Sequence, residues 1–218
     1  DNGQDLIVTN TSRGRSLVGV ARFDKQFDTG IGLAASFTYQ HVKDQSPLTS
    51  SQAGSLYGNS ANLDPNLPAY GTANEQVKYS IRYNVSFDHA FFGDYKTRFD
   101  LFGETRIGSP YSYPSQDLAG GRNGAFGTAG TAGRYLFYVP TGPSDPLVAY
   151  DSATTRDRIE AIVAGSGLKD YRGKTAPRNG FTSKWFTKLD MHVEQQIPAF
   201  MGSRISVFAD VENVLNLV

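Results

Sequence analysis

Cysteine is absent from the 218 residues, and with it go a disulfide scaffold, a thiolate zinc site and a thiol nucleophile. Histidine is scarce: His41, His89 and His192 are the three, and none has a partner four residues on that would make a zinc face. Neither sign of charge is in excess, with 21 Lys and Arg against 21 Asp and Glu. No global field therefore gathers nucleic acid or anionic lipid, and no nucleic-acid partner is expected. No apolar run approaches the roughly 18 residues of a membrane-spanning helix; the densest stretches are as short as Tyr135 to Val139. Asp1 to Thr11 lacks the basic start and apolar core of a signal peptide, so the chain is expected to be cytosolic, already processed or cut from something longer.

What is present leans toward strands. Aromatics make up 12% and charged residues only 19%, with Gly, Ser, Thr and Asn between apolar stretches. From Val77 to Asp88, one parity carries Val77, Tyr79, Ile81, Tyr83, Val85 and Phe87; the other carries Lys78, Ser80, Arg82, Asn84, Ser86 and Asp88. The same alternation runs over Ile31 to Gln40, Tyr95 to Arg106, Trp185 to Glu194 and Ile205 to Glu212, and more weakly over Leu17 to Phe27, whose polar face holds Arg22 and Asp24. All ten prolines, Pro47 to Pro198, fall outside these six segments, as segments hydrogen-bonded on both sides require.

Segments of ten to thirteen residues are long for a soluble strand and match a tilted bilayer crossing. Aromatics gather toward the ends, at Phe23, Phe27, Tyr39, Tyr79, Phe87, Tyr95 and Trp185, where the girdles of an outer-membrane barrel lie. Connections alternate: Asp24 to Gly30, Asp88 to Asp94 and Gln195 to Ser203 are tight, whereas Asp44 to Gln76 and Gly108 to Ser183 are long. The pattern predicts an all-β chain, an antiparallel up-and-down transmembrane β-barrel with short turns on one side and long extracellular loops on the other. Six strands cannot enclose a charged lumen, so the chain is expected to be one part of a larger barrel. A soluble antiparallel sandwich is the alternative fold.

A family resemblance rests on particular residues. Leu189-Asp-Met-His-Val-Glu-Gln-Gln-Ile-Pro198, followed by Arg204-Ile-Ser-Val-Phe-Ala-Asp-Val-Glu-Asn-Val-Leu-Asn216, resembles the penultimate hairpin of TonB-dependent outer-membrane receptors, most closely the Oar-like subgroup. Tyr171-Arg-Gly-Lys-Thr-Ala-Pro-Arg-Asn179 and the aspartate after the Tyr39 segment, Asp44, fit that subgroup too. The resemblance spans roughly residues 16 to 218. It implies a barrel of about 22 strands in a Gram-negative outer membrane. The role it implies is import of a scarce ligand (a siderophore, cobalamin, glycan or peptide), with energy relayed by TonB, ExbB and ExbD. On this reading the chain is a single partial domain, the C-terminal part of the barrel. Its partners are outer-membrane lipid, the rest of the barrel, a plug domain, and TonB through an N-terminal region; plug, TonB box and final strand are not found here. An adhesin or structural barrel without transport is the alternative role.

Candidate contacts follow from the polar parity. Lys78, Arg82, Arg98, Asp100, Glu104, Arg106, Lys188, Asp190, His192 and Glu194 would face the lumen, where they touch plug or ligand or pair across strands as a salt-bridge lattice. Lys78, Arg106 and Lys188, nearest the extracellular end, are the favoured ligand contacts. In the loops, Tyr57, Tyr70, Tyr111 and Tyr113 are candidate contacts beside the Gly-rich stretch Gly120 to Gly133. One short helix is expected between Asp151 and Gly167, capped by Asp151 or Ser152, with Ile159, Ile162 and Val163 as its apolar stripe.

No catalytic, cofactor or metal residue is assigned. Gly173-Lys174-Thr175 imitates the end of a phosphate loop, but the preceding glycine is misplaced and Pro177 stops a following helix. Gly30-Ile31-Gly32 sits in a strand without a third glycine, and no G-x-S-x-G occurs. The chain is not expected to be an enzyme; a hydrolase whose Ser, His and Asp meet across strands is the remaining catalytic alternative.

Overall fold

The computed structural model describes residues 9–45, 51–52, 61–64, 67, 69–115 and 135–216. In chain order the elements begin with β1 (Arg15–Gln26), β2 (Ile31–Asp44), β3 (Gly71–Thr72), β4 (Tyr79–Phe92) and β5 (Tyr95–Arg106). Short strands follow: β6 (Pro110–Tyr111), β7 (Pro114–Ser115), β8 (Tyr135–Leu136) and β9 (Tyr138–Val139). After helix α1 (Ala153–Ala164) come β10 (Lys174–Thr175), β11 (Phe181–Thr182), β12 (Phe186–Pro198) and β13 (Arg204–Val211). Packing divides the chain into two units. The described residues of Asp1–Ser16, Val42–Gln76 and Ser109–Thr182 form a loop unit; those of Leu17–His41, Val77–Gly108 and Ser183–Val218 form a sheet unit.

In the sheet unit the six long strands are ordered β1-β2-β4-β5-β12-β13, so each pairs with the next long strand in sequence. Hydrogen bonding is antiparallel across β2/β4, β4/β5, β5/β12 and β12/β13. Tight turns dictate three of these neighbours, β1/β2, β4/β5 and β12/β13, because a short turn can only return the chain beside the strand it has left; β2/β4 and β5/β12 pair across the two long connections. At the β4–β5 turn Phe92 pairs with Tyr95, and Gly93 adopts φ 63, a conformation that suits glycine at the first position of a two-residue hairpin loop. A register shift between His89 and Phe92 marks a bulge just before that turn.

All six segments expected from alternation are strands, and the antiparallel all-β reading holds. Several bounds need correction, β4 among them: it runs Tyr79–Phe92 rather than Val77 to Asp88. β2 continues to Asp44, because its end gains a second partner in β3, with Lys43 opposite Thr72 and Asp44 opposite Gly71. β12 continues to Pro198, so one proline does lie in a long strand, at the end of the ladder opposite Arg204. β13 stops at Val211, short of Glu212, because Asn213 takes φ 55 and a 3-10 turn over Val214–Asn216 follows. Among the described residues the sheet is open, with β1 and β13 as edges.

The loop unit has its own core: Val139, Val163, Leu168 and Ala176 are buried, and Tyr113, Phe137, Ile159, Tyr171 and Phe181 pack around them. Three two-rung ladders frame it, β6/β11, β7/β8 and β9/β10. Of the two candidate caps of α1, Ser152 is the one whose Oγ accepts the Thr155 N–H, at 3.1 Å. Gly165 closes the helix by donating its N–H to Ala161 O. The expected apolar stripe is narrower than the sequence suggested. Val163 is buried and Ile159 half-buried, whereas Ile162 is 55% exposed, being about 100° around the helix from Val163.

Candidate functional site

The two faces of the sheet unit differ in chemistry, and the register makes the difference continuous from strand to strand. On the apolar face the pairings align Ile31, Phe87, Phe99 and Val193 in one row, then Leu33, Val85, Leu101 and Met191 in the next. Half of these side chains are left open: Ile31 is 38%, Phe99 39%, Val85 39% and Leu101 37% exposed, and among the described residues every buried hydrophobic belongs to the loop unit. At one end Tyr79 stands between Tyr39 and Trp185, at ring separations of 5.6 and 6.4 Å. Toward the other end Phe87, His89 and Phe91 cluster along β4, His89 stacking on Phe87 and meeting Phe91 edge-on at 4.6 Å. The eight steps from Tyr79 to Phe87 span about 26 Å at about 3.3 Å per residue. A ring-sized gap in this face is filled from the opposite strand: a Cβ on Gly103 would lie 2.1 Å from the Tyr83 ring.

The opposite face carries charge, and the register alternates its sign. One row across β4, β5 and β12 reads Arg82, Glu104, Lys188; another reads Asp88, Arg98, Glu194. A third places His192 between Asp100 and Asp210 on the two flanking strands. Arg82 reaches Glu104 at 3.2 Å, and Arg98 reaches Asp100 at 2.6 Å and Asp88 at 3.8 Å. Lys188 lies 3.0 Å from Asp190 and 3.6 Å from Glu212. His192 Nδ1 is 2.6 Å from Asp210, and its Nε2 is 3.8 Å from Glu194. These pairs are partly solvated, so each adds little stability alone; together they set which strand positions can face one another without like-charge repulsion.

Eight of the ten candidate lumen residues thus join ion pairs, in four groups on this face. The other two engage rings: Arg106 sits over Phe186 at 5.3 Å and Lys78 over Tyr79 at 5.4 Å. Lys188, one of the three favoured ligand contacts, is held by two carboxylates. Where β1, β2 and β4 present small side chains, the polar face has an open recess of about 250 Å³ beside Asp24, Gln26, Gly32, Ala34, Asn84 and Ser86.

The candidate loop tyrosines divide. Tyr70 is 37% exposed, with Lys43 over its ring at 5.7 Å. Tyr111 and Tyr113 pack on Phe181, at 5.8 and 4.8 Å; Tyr113 joins the loop-unit core, whereas Tyr111 stays 39% exposed. Tyr57 and the Gly-rich stretch Gly120 to Gly133 lie outside the described residues.

Sequence reasoning missed the polar centres of the loop unit. Asp145, 5% exposed, accepts from the N–H groups of Thr141 and Leu147 at 2.7 and 2.9 Å, the Thr141 hydroxyl at 3.0 Å and the Tyr138 hydroxyl at 3.1 Å. The two backbone donors chiefly hold its carboxyl below the ordinary aspartate range, while burial and this same contact push the Tyr138 phenol up. Arg172 donates to Pro140 O at 3.0 Å and to Glu160 at 2.7 Å. Arg178 is buried against Asp44. The Thr-Gly-Pro-Ser-Asp run of residues 141–145 was the available signal for the first of these, as an aspartate in a Pro and Gly turn commonly binds neighbouring backbone. Among the described residues no group of three or more His, Asp or Glu is arranged to hold a metal ion.

Compared with protein-family models, curated proteins and solved structures, this chain matches none.

Proposed function

We propose that this chain forms part of the wall of an outer-membrane β-barrel receptor of the TonB-dependent, Oar-like kind, which takes up a scarce ligand in concert with a plug domain and TonB, ExbB and ExbD. The observation that carries the reading is the sheet's two-sidedness. An uncovered apolar face runs across the long strands behind an aromatic cluster, and the face behind it is a lattice of compensated charge. A soluble sandwich would cover that apolar face with a second sheet; hydrocarbon covers it on a barrel. The open edges at β1 and β13 support a larger assembly, since unpaired strand edges are not tolerated in lipid and closure calls for further strands. Within such a wall the charged lattice faces the lumen, and its compensated pairs favour a wall that stiffens a wet interior and contacts the plug.

The test is on the mature polypeptide that contains this chain. The proposal expects an outer-membrane protein several times the 23.7 kDa of this segment, with an upstream plug and TonB box, that crosslinks to TonB in cells. A protein of that mass without plug or TonB box would favour the adhesin or structural barrel. A mature protein near 23.7 kDa found in the soluble fraction would overturn the membrane reading as well.

A further inference from the structure

The two long connections meet within the loop unit at one dipeptide, Arg178-Asn179. Arg178 has only 4% of its side chain exposed. Its Nη2 donates to Asp44 Oδ1 at 2.5 Å, and its Nη1 donates to the carbonyl oxygen of Ala69 at 2.5 Å, so the second connection grips both ends of the first. Asn179 continues the grip. Its Nδ2 donates to Thr72 O at 2.8 Å and to Asn74 Oδ1 at 2.7 Å, while its own N–H donates to Ser112 Oγ at 2.8 Å and its Oδ1 accepts from the Ser112 hydroxyl at 3.1 Å. Asn179 has φ 50, in the left-handed region that asparagine visits more readily than most residues. Gly71 admits the clamp by lacking a side chain: a Cβ there would lie 2.8 Å from Arg178 O and 2.9 Å from Arg178 Cβ.

We infer that Arg178 and Asn179 are a latch that makes the described parts of the two long connections one cooperative unit, protected and released together. The physical basis is the cost of half a release. Withdrawing either connection alone strands a buried guanidinium, or leaves Asp44 and the Ala69 carbonyl without their donor. Three places of contact, at Asp44, at 69–74 and at Ser112, are joined through two adjacent residues, so none can be lost without disturbing the others. The inference does not depend on the membrane reading, because every group in it lies within the loop unit.

The test is hydrogen–deuterium exchange on the full polypeptide and its variants. Asp44→Asn keeps shape and removes charge; Gly71→Ala removes no polar group and presses on Arg178; Arg178→Ala removes the clamp. In each, amide exchange is expected to rise at least tenfold together in residues 69–76, 110–115 and 174–182, with β4 and β5 unchanged. Arg178→Lys, which lacks the guanidinium fork, is expected to fall between Arg178→Ala and the parent. An increase confined to residues 69–76, with 110–115 and 174–182 still protected, would overturn the inference. So would loss of protection in β4 and β5 on Asp44→Asn, since the latched segments would then not be a separable unit.

Discussion

At the scale of single residues, a carboxylate's neighbours decide what it does. Asp190, on the polar parity of β12, pairs with Lys188 and also accepts the Asn213 N–H at 2.8 Å, fastening the end of β13 back to β12. Asp145 is enclosed by four donors, and its depressed titration has a definite sign. A carboxyl whose folded pKa lies below the unfolded value of about 3.9 contributes stability in full above that pH and loses it as pH falls through the folded value. Acidification below about pH 4 is therefore expected to loosen the loop unit, and Asp145→Asn should be less stable at pH 7 with a shallower acid dependence. Near-UV circular dichroism across pH 3 to 7 checks this; equal slopes in parent and variant would refute it. Parity in a strand told which charged residues share a face. It could not tell that Arg178 and Asp44 meet, because 134 residues separate them and neither sits in a periodic run that points to the other.

Among the elements, turns and caps are where local chemistry is most exposed to test. At Gly93 a Cβ would have no heavy atom within 4 Å, so space is not the reason for glycine there; its φ of 63 is. Gly93→Ala should thus cost about 1–2 kcal/mol, all of it backbone strain, with the hairpin otherwise intact. Denaturant titration measures the cost, and a neutral result would refute the strain account. For α1, Ser152→Ala removes the acceptor of the Thr155 N–H and should cost about 1 kcal/mol. Faster exchange at Thr155, with Leu168 unaffected, would locate the loss at the helix start. The helix and all six long strands were legible because each repeats its own period over several turns or rungs. The two-residue strands β3 and β6 to β11 were not, since a pair of rungs has no period and exists only through its partner.

For the whole molecule, the assignment of faces makes the sharpest forecast. Val85 and Asn84 are adjacent on β4 and point to opposite faces. If lipid covers the apolar face, Val85→Lys should destabilise the chain folded in phospholipid vesicles by about 2–4 kcal/mol, while Asn84→Lys should cost far less. Urea titration of folding into vesicles, read by heat-dependent gel mobility, measures both. Equal effects of the two substitutions would refute the lipid-facing assignment.

Sequence by itself determined where the long strands run, which side chains share a face, and that β1 lies beside β2, β4 beside β5 and β12 beside β13. These follow from period two and from turns too short to go elsewhere, both local properties of the chain; the pairing of β2 with β4 and of β5 with β12, across long connections, does not. Only the tertiary structure decided which charges pair, because the register between strands, not the order within one, sets Arg82 against Glu104 and His192 between two aspartates. Only the tertiary structure, too, showed the two long connections packed as a second unit with its own core and a buried arginine at their junction. Contacts between segments more than a hundred residues apart arise from burial and hydrogen-bond satisfaction in three dimensions, and no spacing along the chain encodes them.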